Sequence, residues 1–188
     1  MWAVFPCAIM TEDRKCQNLE KLRSPERLAL LEVDRVVRLT LEGISAGCIL
    51  DIGTGSGLFA EAFKARGLDV TGIDEQERML ASARSFVPEG KFRIGSAESL
   101  PFPDGSFDVA FLGHVLHESE TPLRVLKEAR RVSRRRVSVL EWPHQEELEG
   151  PPRAHRLRSE EVLDYAAEAG FRQSREIRLR HMALFLLD

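Results

Sequence analysis

The stretch ILDIGTGSGLF, residues 49–59, decides the fold of this chain. Ile49, Leu50 and Ile52 make a short apolar run around Asp51, and Gly53, Gly55 and Gly57 follow at alternate positions. A short apolar run that meets glycines reads as a buried strand entering a turn. Glycines in such a turn let a small molecule approach the backbone closely. Which molecule would want a carboxylate two residues before the turn is the question the stretch raises.

On either side of this turn the pattern alternates between strand and helix. Residues 47–53 read as a strand, and 57–66 as a helix that Gly67 closes. Residues 69–74 form a second strand, 76–86 a helix, 91–97 a third strand and 106–115 a fourth. Thr121 and Pro122 cap a helix that runs to about Val132, and 137–142 is the fifth strand. Ser159 caps a helix over 160–169, with Glu160 and Glu161 at its positive end and Gly170 as its stop. The tail, 171–188, reads as two strands with almost no loop between them. Upstream, Ser24 and Pro25 open one helix that carries Leu28, Leu31, Val36 and Leu39 at helical spacing and ends at Gly43. Alternating strands and helices predict an α/β fold with a parallel sheet covered on both faces. The last two strands have no helix between them, so they pair as an antiparallel hairpin. That makes seven strands, one of them reversed near the sheet edge.

Composition sets the bounds. A chain of 188 residues suits one globular domain, and 43% apolar with 30% charged residues is ordinary for one. The net charge of −3 gives no reason to expect nucleic acid, and no apolar run is long enough to span a bilayer. Residues 1–10 are apolar but lack a basic leader, so they read as a disordered or loosely docked terminus, and Met10 is an alternative start. Three cysteines, Cys7, Cys16 and Cys48, in a chain without an export signal suggest a reducing, cytoplasmic setting. None has metal-ligand spacing, and no metal site is expected. The run RRVSRRR at 130–136 reads as a basic helix C-terminus facing solvent, with a phosphate-binding patch as the alternative.

The G-x-G-x-G spacing after Asp51 differs from the G-x-G-x-x-G of a dinucleotide site. A carboxylate beside the turn repels pyrophosphate and attracts an ammonium group, directly or through water. Asp74 ends the second strand, where an acid accepts hydrogen bonds from both ribose hydroxyls. A nucleoside joined to an amino-acid head is S-adenosylmethionine. A nucleotide-dependent oxidoreductase is the competing reading, and both Asp51 and the glycine spacing argue against it.

With ILDIGTGSG, VTGID, GSAESLPFPDGSFDVAF and the later helix–strand pattern, residues 45–188 resemble the class I S-adenosylmethionine-dependent methyltransferases, most of all the small type 11 branch that includes the quinone-biosynthesis enzymes. The resemblance implies a doubly wound, Rossmann-like seven-stranded sheet of order 3-2-1-4-5-7-6 with strand seven antiparallel. It makes 45–188 the methyltransferase domain and 1–44 an N-terminal segment with a cap helix. It places Asp51, Gly53, Thr54, Gly55 and Gly57 in the methionine-side loop, and Asp74 with Glu75 at the ribose. Met79 falls near the adenine or, equally, in helix core. Ser96 stands where relatives usually carry an acid for the adenine amino group, with Ala97 and Glu98 as substitutes. Gly113 and His114 fall beside the sulfonium. The relatives' paired glycines before strand five are replaced here by SRRRVSV.

Methyl transfer is an in-line displacement from a sulfonium, so the protein aligns the partners and excludes water, and needs a base only for a protonated acceptor. Acceptor-side candidates fall at the carboxyl ends of strands four and five: His114, His117 and Glu118, then Glu141, Trp142 and His144. His117 is the first choice for a base and Glu118 its orienting partner. The loop 143–158 lies over the same edge, either as a lid with the N-terminal helix or as a plain surface connection, and the acceptor pocket is expected from these two segments. The expected partner is a small-molecule acceptor, with no nucleic acid and no membrane, and the chain is expected to be a monomer or homodimer. A donor-binding module that regulates a partner without catalysis is the reading from a different class.

Overall fold

The computed structural model describes residues 22–146 and 149–188. The expectations on residues 1–10, Met10, Cys7 and Cys16 lie outside the described residues. In chain order the elements are α1 (Pro25–Leu31), α2 (Val33–Thr40), β1 (Cys48–Ile52), α3 (Leu58–Lys64), β2 (Asp69–Asp74), α4 (Glu77–Phe86), β3 (Lys91–Ile94) and β4 (Phe107–Gly113). A 3-10 turn (Leu116–Glu118) leads to α5 (Pro122–Val132) and β5 (Ser133–Glu141), then a second 3-10 turn (Arg153–His155), α6 (Ser159–Ala169), β6 (Ser174–Arg178) and β7 (Ala183–Leu187).

The strands form one sheet in the order β3-β2-β1-β4-β5-β7-β6, as the resemblance implies. Pairings among β1 to β5 are parallel, while β7 runs antiparallel to both β5 and β6. Because β1 is flanked by β2 and β4, the chain winds both ways from it, and the crevice at its carboxyl end is the switch point where such sheets bind ligands.

Two cores explain why β1 is apolar at successive positions. Leu50 and Ile52 join one buried cluster with Ala110, Leu112 and Val139. Ile49 joins the other with Val109, Phe111, Phe63 and Leu140. Successive side chains of a strand face opposite ways, so a strand covered on both faces needs an unbroken apolar run. Phe63 of α3 meets Phe111 of β4 edge-on, with ring centroids 5.3 Å apart.

Four local expectations are corrected. The N-terminal helix is two helices, broken at Glu32, whose backbone is left-handed at φ 46°. Leu31 and Val33 are both buried in the second core. On one continuous helix residues two apart would point about 200° away from each other, so the break lets both reach the core. The freed Glu32 carboxylate accepts the Arg180 backbone N–H at 2.6 Å and a hydrogen bond from Arg35 at 2.7 Å.

The arginine run is only partly a helix end, since β5 begins at Ser133. Arg136 is buried there, holds both oxygens of Asp188 at 2.7 and 2.9 Å, and donates to the carbonyls of Thr40 and Glu42. Thr121 makes no side-chain cap on α5. Ser159 is the first residue of α6 rather than its cap, and its hydroxyl donates to Glu176 at 2.9 Å. Glu161 supplies the cap by accepting the Arg158 N–H at 2.8 Å.

Candidate active site

A cleft of about 530 Å³ opens at the carboxyl ends of β1, β2 and β4. Its lining includes Asp51, Gly53, Thr54 and Gly55 from the turn after β1, Asp74, Glu75 and Met79 from the β2 end and α4, and Ser96, Ala97 and Glu98 after β3. Gly113, His114 and Glu118 close it from the end of β4. Most of the residues expected at the donor site therefore meet in one cavity. Gly57 and His117 do not line it.

The turn itself has three left-handed glycines with three different surroundings. A side chain on Gly53 (φ 65°) would begin 2.5 Å from the Val115 Cγ2, and one on Gly57 (φ 77°) 2.9 Å from the Ala83 Cβ. Gly55 (φ 54°) faces open space, with nothing nearer than the Gly53 carbonyl at 4.0 Å. Gly53 and Gly57 are required by packing, and Gly55 is the position left free for a neighbour from the cleft.

The Asp74 carboxylate ties this turn to β2, accepting the Gly55 N–H at 2.9 Å and the Gln76 N–H at 2.8 Å. Asp51 is buried and accepts the Thr54 hydroxyl at 2.6 Å. Burial pushes its carboxyl up to about 7, against the hydrogen bonds from Thr54 and the Ala60 backbone, with the charge of Asp74 adding to the rise. Among the described residues it has no ion pair. Ser96 is occupied by its own turn, its hydroxyl accepting the Glu98 N–H at 3.3 Å. Glu98 in turn accepts the Ser119 hydroxyl at 2.9 Å.

The acceptor side is built differently from the expectation. Glu118 is exposed and its nearer oxygen lies 4.0 Å from His117 Nε2. The orienting carboxylate is Glu141, buried at the end of β5, whose Oε2 lies 2.6 Å from His117 Nδ1. Its other oxygen accepts the backbone N–H of Leu116 at 2.9 Å and of His117 at 3.4 Å. His114 has a left-handed backbone (φ 63°), which is uncommon for a residue with a side chain and is found at sites that over-determine it. Its ring stacks on Trp142 at 5.4 Å, and its Nε2 is buried without a partner among the described residues. Burial first, then the charges of Arg27 and His117, hold its pKa down to about 3.

Two arginines of the N-terminal region reach the site, which no local pattern announced. Arg23 donates to the Ser56 carbonyl at 2.9 Å and pairs with Glu61, bracing the glycine turn. Arg27 lines the cleft beside Leu31 and His114. Arg156, which is buried, donates to the carbonyls of Pro143, Gln145, Glu149 and Pro151, gathering the loop after β5 around one guanidinium. No group of three or more His, Cys, Asp or Glu that would hold a metal occurs among the described residues, and no described helix is long and apolar enough to cross a membrane.

The family described as "Methyltransferase domain" matches residues 50–140. A demethylmenaquinone methyltransferase of Thermotoga maritima is 38% identical over 111 residues, 57% of this chain and 48% of that protein. One of Chlorobaculum tepidum is 42% identical over 96 residues, 50% of this chain and 40% of that protein. The chain thus spans half or less of the length of these curated relatives. A crystal structure of a SAM-dependent methyltransferase from Aquifex aeolicus superposes with a TM-score of 0.78 at 26% identity, covering 91% of this chain and 96% of that one.

Proposed function

This chain belongs to the class I S-adenosylmethionine-dependent methyltransferases, in their type 11 branch, and from that premise we propose that it moves a methyl group from S-adenosylmethionine to a small, quinone-like acceptor. The observation that carries the reading is Asp51: a buried carboxylate, held near 7 and without an ion pair among the described residues, beside a glycine turn whose middle member faces open space. Such a group gains most from a cation brought by the ligand. The residues present fit a donor with a charged amino-acid head and a ribose.

Asp51 supplies the counter-charge on the methionine side, directly or through water. Gly55 leaves room for the ligand against the backbone, and the Asp74 carboxylate offers its remaining lone pairs to the ribose hydroxyls. Glu75 and Met79 flank that end, with Ser96, Ala97 and Glu98 toward the adenine. When bound, S-adenosylmethionine supplies a methyl group already activated on sulfur. The protein's share is then alignment and water exclusion, by His114 and Gly113 at the end of β4 and by Arg27 and Leu31 of α1, whereas no described residue of the loop 143–158 lines the cleft. His117 can take a proton only on Nε2, because its Nδ1 faces Glu141. The names of the two curated relatives support a quinone-like acceptor.

One observation favours a second reading. The candidate base His117 does not line the cleft, as a donor-binding module without catalysis would allow. Calorimetry with S-adenosylmethionine and with NAD, followed by transfer of a labelled methyl group to a demethylated naphthoquinol, separates the possibilities. We expect donor binding and labelled product. NAD binding without donor binding would overturn the reading, and donor binding without transfer to any acceptor would favour the module.

A further inference from the structure

Arg27 is a cation in the wall of the cleft. It is half-buried in α1 and lines the cavity with His114. Among the described residues it makes no ion pair. Its Nη2 lies 3.5 Å from His114 Nδ1, and its guanidinium lies 5.4 Å from the centre of the Trp142 ring. A guanidinium only donates, so the His114 Nδ1 accepts and the imidazole carries its proton on Nε2. That neutral ring returns no negative charge to the arginine. Burial pulls the Arg27 pKa down, and the acid whose field opposes this is Glu149. Glu118 and Glu120 also line the cleft, and both side chains are exposed.

We propose that Arg27 recognises the acceptor, and that the acceptor presents an anionic oxygen, a phenolate or a carboxylate, to its guanidinium. This rests on the methyltransferase reading and names the substrate class of the same cleft. A partly desolvated guanidinium without an ion pair gains most from an anionic oxygen, whose hydrogen bonds to it are charge-assisted. For a phenol the same cation favours ionisation. The proton then leaves to solvent before transfer, and the phenolate's electron pair forms the new bond to the methyl carbon as the carbon–sulfur bond breaks, its pair staying on sulfur. An acceptor that binds as its anion needs no protein base, which fits His117 lying outside the cleft lining.

The test uses the full chain saturated with S-adenosylhomocysteine and three probes: 4-nitrophenol, benzoate and the neutral nitrobenzene. We expect at least one anion to bind about tenfold or more tightly than nitrobenzene. Bound 4-nitrophenol, followed by absorbance, should ionise at a lower pH than it does free. Arg27→Met should lose about 10- to 100-fold in affinity for the favoured anion, as expected for a hydrogen bond to a charged group. It should keep its affinity for S-adenosylhomocysteine and nitrobenzene, and Arg27→Lys should recover part of the loss. Preference for 4-nitrophenol assigns the phenolate and preference for benzoate the carboxylate, and either supports the proposal. Equal binding of all three probes by the wild type, or an unchanged preference in Arg27→Met, overturns it. Failure of the wild type to bind S-adenosylhomocysteine is a separate readout, and it removes the methyltransferase reading and this proposal together.

Discussion

Glu141 Oε2 lies 2.6 Å from His117 Nδ1 and joins the end of β5 to the turn that follows β4. The other oxygen of the same carboxylate holds two backbone N–H groups of that turn. Burial pulls His117 down, but the hydrogen bond and charge of Glu141, with the charge of Glu118, outweigh it and the imidazole pKa ends raised above 6.5. A raised histidine contributes stability that is full below pH 6.5 and is lost as pH rises through the folded value.

Glu141→Gln should therefore remove most of that pH dependence. The His117 titration, followed by NMR, should move to lower pH. Thermal melts should show a loss of roughly 3 kcal/mol at pH 6, the scale for removing one partner of a buried pair. A His117 midpoint that stays where it is would show that Glu141 does not set it.

Asp51 predicts how donor binding depends on pH. Its carboxyl is held near 7, and a bound cation favours the ionised form. Donor affinity should rise with pH up to about 7, by at most about tenfold per unit well below it, and then level. Below pH 7 binding should release a proton, measurable by calorimetry in two buffers of different ionisation enthalpy. Asp51→Asn should flatten both effects. In the free protein the sign is opposite, because a raised carboxyl costs stability as pH climbs from 3.8 to about 7.

The three turn glycines should separate stability from binding. Gly57→Ala puts a methyl group 2.9 Å from the Ala83 Cβ and at a left-handed backbone, so it should lower stability by about 2–4 kcal/mol. Gly55→Ala meets no clash and should cost only the left-handed penalty, about 1–2 kcal/mol, while weakening donor binding. Melting temperature and donor affinity measured on both variants check the split. A Gly55→Ala protein with full donor affinity would mean that the ligand does not pass this position.

Asp74→Ala should weaken the donor by about 2–3 kcal/mol, the scale for hydrogen bonds to a charged acceptor. It should also lower the melting temperature of the free protein, because the Gly55 and Gln76 N–H groups lose their acceptor. Calorimetry with S-adenosylhomocysteine and a melt without ligand read the two effects apart. Unchanged affinity would remove the ribose assignment.

The sheet was legible because its signals are local and repeated. An apolar run before glycines gives β1, and a helixless pair at the C-terminus gives the β6–β7 hairpin. That Asp51 and Asp74 would share one cleft was legible for the same reason, since both sit at strand ends a few residues from glycines or a turn. What stayed hidden depends on distant partners. Glu141 and His117 are 24 positions apart, and only the parallel pairing of β4 with β5 brings them together. Glu118 was the nearer carboxylate in sequence, but it points to solvent. Arg27 meets His114 across 87 positions. The break at Glu32 was hidden too, because Leu31 and Val33 look incompatible with one helix only once both are known to be buried.

Arg156 decides whether the segment after β5 is a moving cover or a fixed wall. Its guanidinium donates to four carbonyls between Pro143 and Pro151, at distances from 2.8 to 3.3 Å. It also lies 5.2 Å from the Trp142 ring centre, and Gly150 packs so close that an added Cβ would stand 2.6 Å from that ring. Pro143, Gln145, Glu149 and Pro151, tied by their carbonyls to one buried group, should not move independently of it. Arg156→Lys keeps the charge but loses the planar fork, so it can serve only some of those carbonyls at once. We expect the variant to be cut within 143–151 by a dilute protease many times faster than the wild type, with only a small fall in melting temperature, because the two sheet cores are untouched. If the loop is already cut readily in the wild type, and donor plus acceptor analogue protect it, the segment is a cover that closes on ligand and Arg156 is not what holds it. Equal slow cutting of both proteins would show that packing on Trp142 is sufficient without the guanidinium.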